Sequence, residues 1–309
     1  MRNEFVWAVL CVFASAGCGA ATSASDSSGG SSATGGSTAG GSTSTSGGNG
    51  SAGSTGSNTD KFSFFVASVG SIKMLSGNPL GFGGDLRFGE AGDGAGLRGA
   101  DKICTAVAEL SLAGSGSKGW HAFLSAKSAG PGGSVVHAKD RIGEGPWYDR
   151  MGRLVAQNLT DLISRRPVGA DAAIINDLPN EFGIPNHSDG APGCTGNDCP
   201  DNHDTLTGTN DKGTLYTLGT NPTCDDWTSA VGTAGQPHCG HSWFRGSSMG
   251  GGMATGPDGS DMTNWMSALD EAGCAPGINL VEMGPPNPQN PTVGSGGGYG
   301  GIYCFAMQP

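Results

Sequence analysis

Glycine occupies 58 of the 309 positions, more than twice its usual share of about 7%. Each glycine widens the unfolded ensemble and so costs more backbone entropy to order. Only 36% of the residues are hydrophobic, 7% aromatic and 14% charged. A chain of this kind has little to bury per residue, so its folded part should be rich in loops, short in regular elements and dependent on cross-links. The glycines are also unevenly placed, and that unevenness divides the chain.

Residues 19–59 contain 12 Gly, 13 Ser and 7 Thr, with no apolar side chain larger than Ala. Such a segment cannot offset its conformational entropy by burial and reads as a flexible tether, with a mean span of roughly 35 Å for a Gly-rich coil. A glycosylated stalk would use the same Ser and Thr. Before it, the apolar run FVWAVLCVFASAG from Phe5 to Gly17 follows Arg2 and ends in small residues, the order of a signal peptide. Ser15-Ala16-Gly17-Cys18 looks like a bacterial lipobox, which makes residues 1–17 the signal and Cys18 a lipidated N-terminus. The other reading is ordinary cleavage after Ala14-Ser15-Ala16, leaving Cys18 as a thiol. Two or three acyl chains would suffice for stable membrane attachment. No apolar run reaches the about 20 residues of a membrane span, so the expected membrane contact is the lipid anchor alone, on an outer-membrane or cell-surface lipoprotein. A secreted or periplasmic protein is the alternative.

Residues 60–309 form the expected folded head, one domain with no second linker. The whole chain carries 16 Lys+Arg against 27 Asp+Glu, a net charge of -11, without a basic cluster. Nucleic acid is thereby excluded as a partner. Export permits disulfides, and the head holds seven cysteines: Cys104, Cys194, Cys199, Cys224, Cys239, Cys274 and Cys304. An odd number leaves at least one free or paired outside the chain. The lack of paired CxxC elements argues against cysteine-bound zinc.

Few regular elements are expected in the head. FSFFVASV from Phe62 to Val69 reads as a strand. Ile103, Val107 and Leu110 fall at helical spacing after Asp101, a plausible cap. Trp120–Leu124 reads as a second strand, Leu215–Leu218 as a weak third, and Trp265, Ala268 and Leu269 as one or two helical turns. Residues 301–306 complete the list as a buried terminal strand. Gly, Pro, Asn and Asp segments separate all of these, giving an α+β class with long loops.

The landmarks GLRGADKIC, GWHAFLSA, GPWYDRMGRLVAQNLTDL, LTGTNDKGT, TCDDWTS and GIYCFA follow one another along residues 62–306. In this order they resemble bacterial exported domains of the endostatin-like branch of the C-type-lectin fold. The resemblance implies a C-type-lectin-like, disulfide-stapled α+β domain. It also implies one staple from Cys104 to Cys304 and another from Cys224 to Cys274. Cys194 and Cys199 lie outside the family pattern and could close a tight loop, leaving Cys239 over. Residues 71–93, 179–204, 234–262 and 275–300 are insertions against that pattern, on the side where such folds carry their ligand sites.

Asn197, Asp198, Asp201, Asn202, Asp204, Asn210 and Asp211 crowd one segment, and hard cations favour such oxygens. Calcium is therefore a possible ligand, with Asp201 and Asp204 as binding residues, although Asp/Asn/Gly segments also form simple turns. No other cofactor is expected. His238-Cys239-Gly240-His241 and His203 bring imidazoles together without a metalloprotease signature, which reads as a solvated loop or, alternatively, as part of a metal-dependent hydrolase. No GxSxG elbow or phosphate loop is present, so the chain is expected not to be an enzyme. Asp225-Asp226 reads as a turn and a structural contact. Trp243, within an insertion, is the tryptophan most suited to ligand stacking. The favoured function is a surface-anchored binding module for a glycan, a matrix polymer or a partner protein. A structural envelope protein is a further alternative.

Overall fold

The computed structural model describes residues 61–188, 202–243, 261–280 and 285–308. Cys18, the low-complexity segment, Cys194, Cys199 and Asp201 lie outside the described residues. The head is mixed α/β, with short helices and strands linked by long irregular segments.

Strand β1 (Phe64–Val66) is followed directly by helix α1 (Val69–Ser76). The expected strand therefore stops early, because the Ser68 hydroxyl accepts from the Ser71 N–H and caps a helix. Helix α2 (Ala95–Ser111) is 17 residues long. It begins six residues before Asp101, which is thus not its cap. The Asp101 carboxylate instead receives the Arg141 guanidinium at 2.7 Å and the Ala122 N–H at 2.9 Å. The next elements are β2 (Trp120–Ala122), β3 (Trp147–Tyr148), β4 (Leu154–Ala156) and the short helix α3 (Leu159–Leu162). Strands β5 (Asp204–Leu206), β6 (His238–His241), β7 (Leu269–Asp270) and β8 (Gly298–Ala306) complete the frame.

Six strands form one sheet in the order β1-β8-β5-β6-β7, with β2 also paired to β8, while β3 and β4 form a separate hairpin. The long β8 is the centre. Its second half lies antiparallel to β1 and β2, and its first half runs parallel to β5. Alternation sends Phe64, Val66, Tyr303 and Phe305 to one face and Phe65, Ile302, Cys304 and Ala306 to the other. Both faces are covered, which explains why the strand sequences read as apolar on successive residues. One face packs on α2 through Ala100, Ile103, Cys104 and Val107. The other gathers Phe123, Trp147, Trp265, Tyr303 and Phe305, whose rings meet at centroid separations such as 4.8 Å for Phe123–Trp265 and 5.5 Å for Trp147–Phe305.

Disulfides join Cys104 to Cys304 and Cys224 to Cys274, the two pairs implied by the sequence resemblance. They close segments of 200 and 50 residues, for which chain entropy gives about 5 and about 4 kcal/mol respectively. Cys239 is the free cysteine among the described residues, and it is buried. Two further expectations are corrected. Trp265–Leu269 makes no helix, because β7 begins at Leu269 and pairs with β6. Residues 215–218 contribute only an isolated bridge from Leu215 to Thr209.

Candidate functional site

The segment from His238 to His241 is a fully buried strand, not a solvated loop. The presence of Gly240 explains how it can be one. A Cβ there would sit 1.8 Å from the Trp265 carbonyl oxygen, so only glycine lets the neighbouring backbone close onto β6. Strand β6 lies antiparallel to β5, with His241 opposite Asp204 and Cys239 opposite Leu206. Opposed residues share a face, and this brings Asp204 and His241 together.

His238 and His241 are three residues apart and serve different ends. His238 is held by Asp270 at 2.6 Å through Nδ1 and by Ser267 at 2.8 Å through Nε2, and its ring lies under Tyr216 at a centroid distance of 3.6 Å. His241 directs Nε2 to Asp204 Oδ1 at 3.0 Å and places Nδ1 against the Met262 carbonyl. His203, immediately before β5, sets its ring edge-on to His241 at 4.4 Å, with Nε2 3.7 Å from Asp204 Oδ1. One ligand atom from each of His203, Asp204 and His241 therefore lies within 4.8 Å of the others.

Glu271, one residue past β7, joins this cluster. Its Oε2 accepts the Gly296 N–H at 2.8 Å. A Cβ on Gly296 would meet Asp204 Oδ2 at 2.8 Å and Glu271 Oε2 at 3.4 Å, so both carboxyl groups flank the same glycine. Exposure is 5% for His203, 1% for Asp204, 4% for His241 and 0% for Glu271. Burial raises the Glu271 carboxyl well above the usual range, and the neighbouring Asp204 carboxylate pushes the same way. Burial alone would also raise Asp204, but charge on His203 and the contact with His241 hold it below its ordinary value. Burial lowers His241, as does charge on His203, against the opposing pull of Asp204.

Asp204, read from the sequence as a binding residue together with Asp201, is buried in this cluster. Its described neighbours Asn202, Asn210 and Asp211 bond elsewhere. Asn202 donates to the Asn186 carbonyl, Asn210 organises the turn to Thr214, and Asp211 pairs with Lys212 at the surface. Trp243 is half-buried, with its ring stacked on His187 at 4.5 Å and 6.4 Å from that of His203. His187 in turn is bonded to Asp177. Sequence reasoning missed Glu271, which lies far along the chain from Asp204, and the His187–Asp177 pair that meets Trp243.

A second feature lies in the long connections. An open groove of about 760 Å³ is lined by residues including Lys127, Tyr216, Thr217, Asn221, Asp225 and Asp226. One wall is a left-handed turn, with φ of 47°, 56°, 56° and 66° at Cys224, Asp225, Asp226 and Trp227. Four consecutive non-glycine residues in this region cost roughly 1–2 kcal/mol each. Several contacts impose the turn. The Cys224–Cys274 disulfide fixes its start. The Asp226 carboxylate accepts the backbone N–H groups of Lys127 and Ser128 at 2.6 and 2.9 Å. The buried Trp227 indole donates to the Ser125 carbonyl at 2.8 Å. Asp226 is thus the structural contact expected from the sequence, whereas Asp225 points an exposed carboxyl toward the groove side.

No protein family model matches the chain, and no curated protein matches it. Among the described residues no helix is long and apolar enough to cross a membrane.

Proposed function

We propose that the head is a non-catalytic binding module that holds a hydroxyl-rich polymer, a glycan chain, in the groove beside Tyr216. The observation that carries this reading is the strained left-handed turn that forms a wall of that groove. Backbone strain of this size persists where surrounding structure over-determines it, and such strain clusters at ligand sites. Tyr216 supplies an aromatic ring positioned by His238 below it, the usual partner for the apolar face of a sugar. Asn221, Thr217 and Asp225 line the groove around it with hydrogen-bonding groups for hydroxyls.

The same reading takes the head as a C-type-lectin-like domain of the endostatin-like branch. Support comes from the pairing of β1 with β8, the α2-to-β8 staple and the irregular connections that hold the groove. Export as a lipoprotein acylated at Cys18, with residues 19–59 as the tether, completes the proposal and rests on the sequence pattern. A metal-dependent hydrolase built on His203, His238 and His241 is less favoured. His238 spends both nitrogens on Asp270 and Ser267, and the remaining cluster has almost no exposed surface for a substrate.

The test is binding of the full exported chain to a panel of glycans and polysaccharides, with Tyr216→Ala and Trp243→Ala variants alongside. Tyr216→Ala should weaken binding about tenfold, the loss of one aromatic contact, with little change in thermal midpoint. Undiminished binding by Tyr216→Ala, with loss in Trp243→Ala, would move the site to the Trp243 side. A silent panel would contradict the glycan reading and favour a partner protein or a structural envelope role.

A further inference from the structure

The buried cluster beneath β5 and β6 has an imbalance of acceptors over donors. Both Asp204 carboxylate oxygens, His241 Nε2 and Glu271 Oε1 are buried without a hydrogen-bond donor. Leaving such groups unpaired is expensive. The His241 tautomer sharpens the problem. Because Nδ1 faces the Met262 carbonyl, it carries the ring proton, and Nε2 of the neutral ring then presents a lone pair to Asp204 Oδ1 at 3.0 Å. Protons alone would have to supply two bonds to Asp204, one from His241 Nε2 and one from the Glu271 carboxyl.

A cation between Asp204 and the two imidazoles settles their contacts together. Bonds of about 2.0–2.1 Å in a tetrahedron put neighbouring ligand atoms about 3.3 Å apart. The separations from Asp204 Oδ1 to His241 Nε2 and His203 Nε2 are 3.0 and 3.7 Å, either side of that figure. A metal-binding imidazole commonly donates its other N–H to a backbone carbonyl, as His241 does to Met262. Two imidazoles with carboxylates suit zinc rather than calcium, which prefers six to eight oxygens.

We propose that His203, Asp204 and His241 bind one divalent transition-metal ion, zinc by preference, with the Glu271 carboxyl beside Asp204 as an outer partner of the site. The site is structural. It is buried, and it ties the residue before β5, the first residue of β5 and the end of β6 into one knot. The proposal is independent of the groove reading, since Tyr216 is no part of it.

The full exported chain, isolated without chelator, should contain one zinc per molecule by elemental mass spectrometry. Prolonged chelation should lower its thermal midpoint, and zinc, but not calcium, should restore it. Cobalt(II) in the stripped protein should give the visible absorption of a tetrahedral site. Asp204→Asn and His241→Gln should lose the metal, Glu271→Gln should bind zinc about 10–100-fold more weakly, and Tyr216→Ala should keep it. Should the first two variants fail to fold, the wild-type chain and Glu271→Gln still decide. Wild-type protein that takes up no zinc and whose midpoint ignores chelator overturns the proposal, as does equal zinc binding by folded Asp204→Asn or by Glu271→Gln.

Discussion

Gly240 shows how much of this fold hangs on single residues. With the Trp265 carbonyl oxygen 1.8 Å from where its Cβ would lie, alanine cannot be accommodated without moving β6. Gly240→Ala should cost at least the about 1–3 kcal/mol of ordinary overpacking, read as a fall in denaturant midpoint, and a variant as stable as the parent would refute the close approach. Glu181 makes a different case. Its buried carboxylate accepts from the Ser68 N–H and from the Ser68 and Ser71 hydroxyls at the start of α1. Burial raises its pKa, and those hydrogen bonds only partly oppose the rise. Because the folded value lies above the unfolded 4.5, the folded state binds the proton more tightly. This contribution to stability is full below about pH 4.5 and is lost as the pH rises through the folded value, at up to about 1.4 kcal/mol per pH unit. Glu181→Gln should remove that slope when unfolding is followed from pH 4 to 8, and an unchanged profile would show that Glu181 is not its source. None of these features is visible in the sequence, because Glu181 meets Ser68 across 113 positions.

Among the elements, legibility follows how local the cause is. The apolar spacing of Ile103 and Val107 announces α2, and the β-branched and aromatic runs announce β1, β2 and β8. The start of α2 at Ala95 is hidden because Gly96 and Gly99, poor helix formers, are there to admit the backbone at Asp226 and Leu86. Strand β6 is hidden for a similar reason. HCGH looks polar, yet its histidines meet Asp270, Ser267, Asp204 and Met262, all distant in sequence. The staples give the prediction at this scale. Replacing Cys104 and Cys304 by Ala should destabilise the head by about 2–5 kcal/mol, and by more than the same change at Cys224 and Cys274 in a pure chain-entropy account. Calorimetry of the two double variants checks the order. A larger loss from Cys224 and Cys274 would contradict the chain-entropy account.

At the scale of the molecule, a glycine-rich chain with a modest apolar content keeps its order by closing β1 and β2 onto one central strand and stapling that strand to α2. The connections are then free to carry a groove on one side, while a polar knot is sealed inside. The general plan was legible from composition and cysteines. The groove was not, because Tyr216, Lys127 and Asp225 belong to segments whose meeting depends on the whole frame. The most direct measurement is hydrogen–deuterium exchange of the full chain with and without a polysaccharide that it retains on the panel. Binding at the groove predicts new protection at residues 215–226 and 127–128, with residues 177–187 and 241–243 unchanged. Protection confined to the segments around Trp243, or none at all, would contradict it.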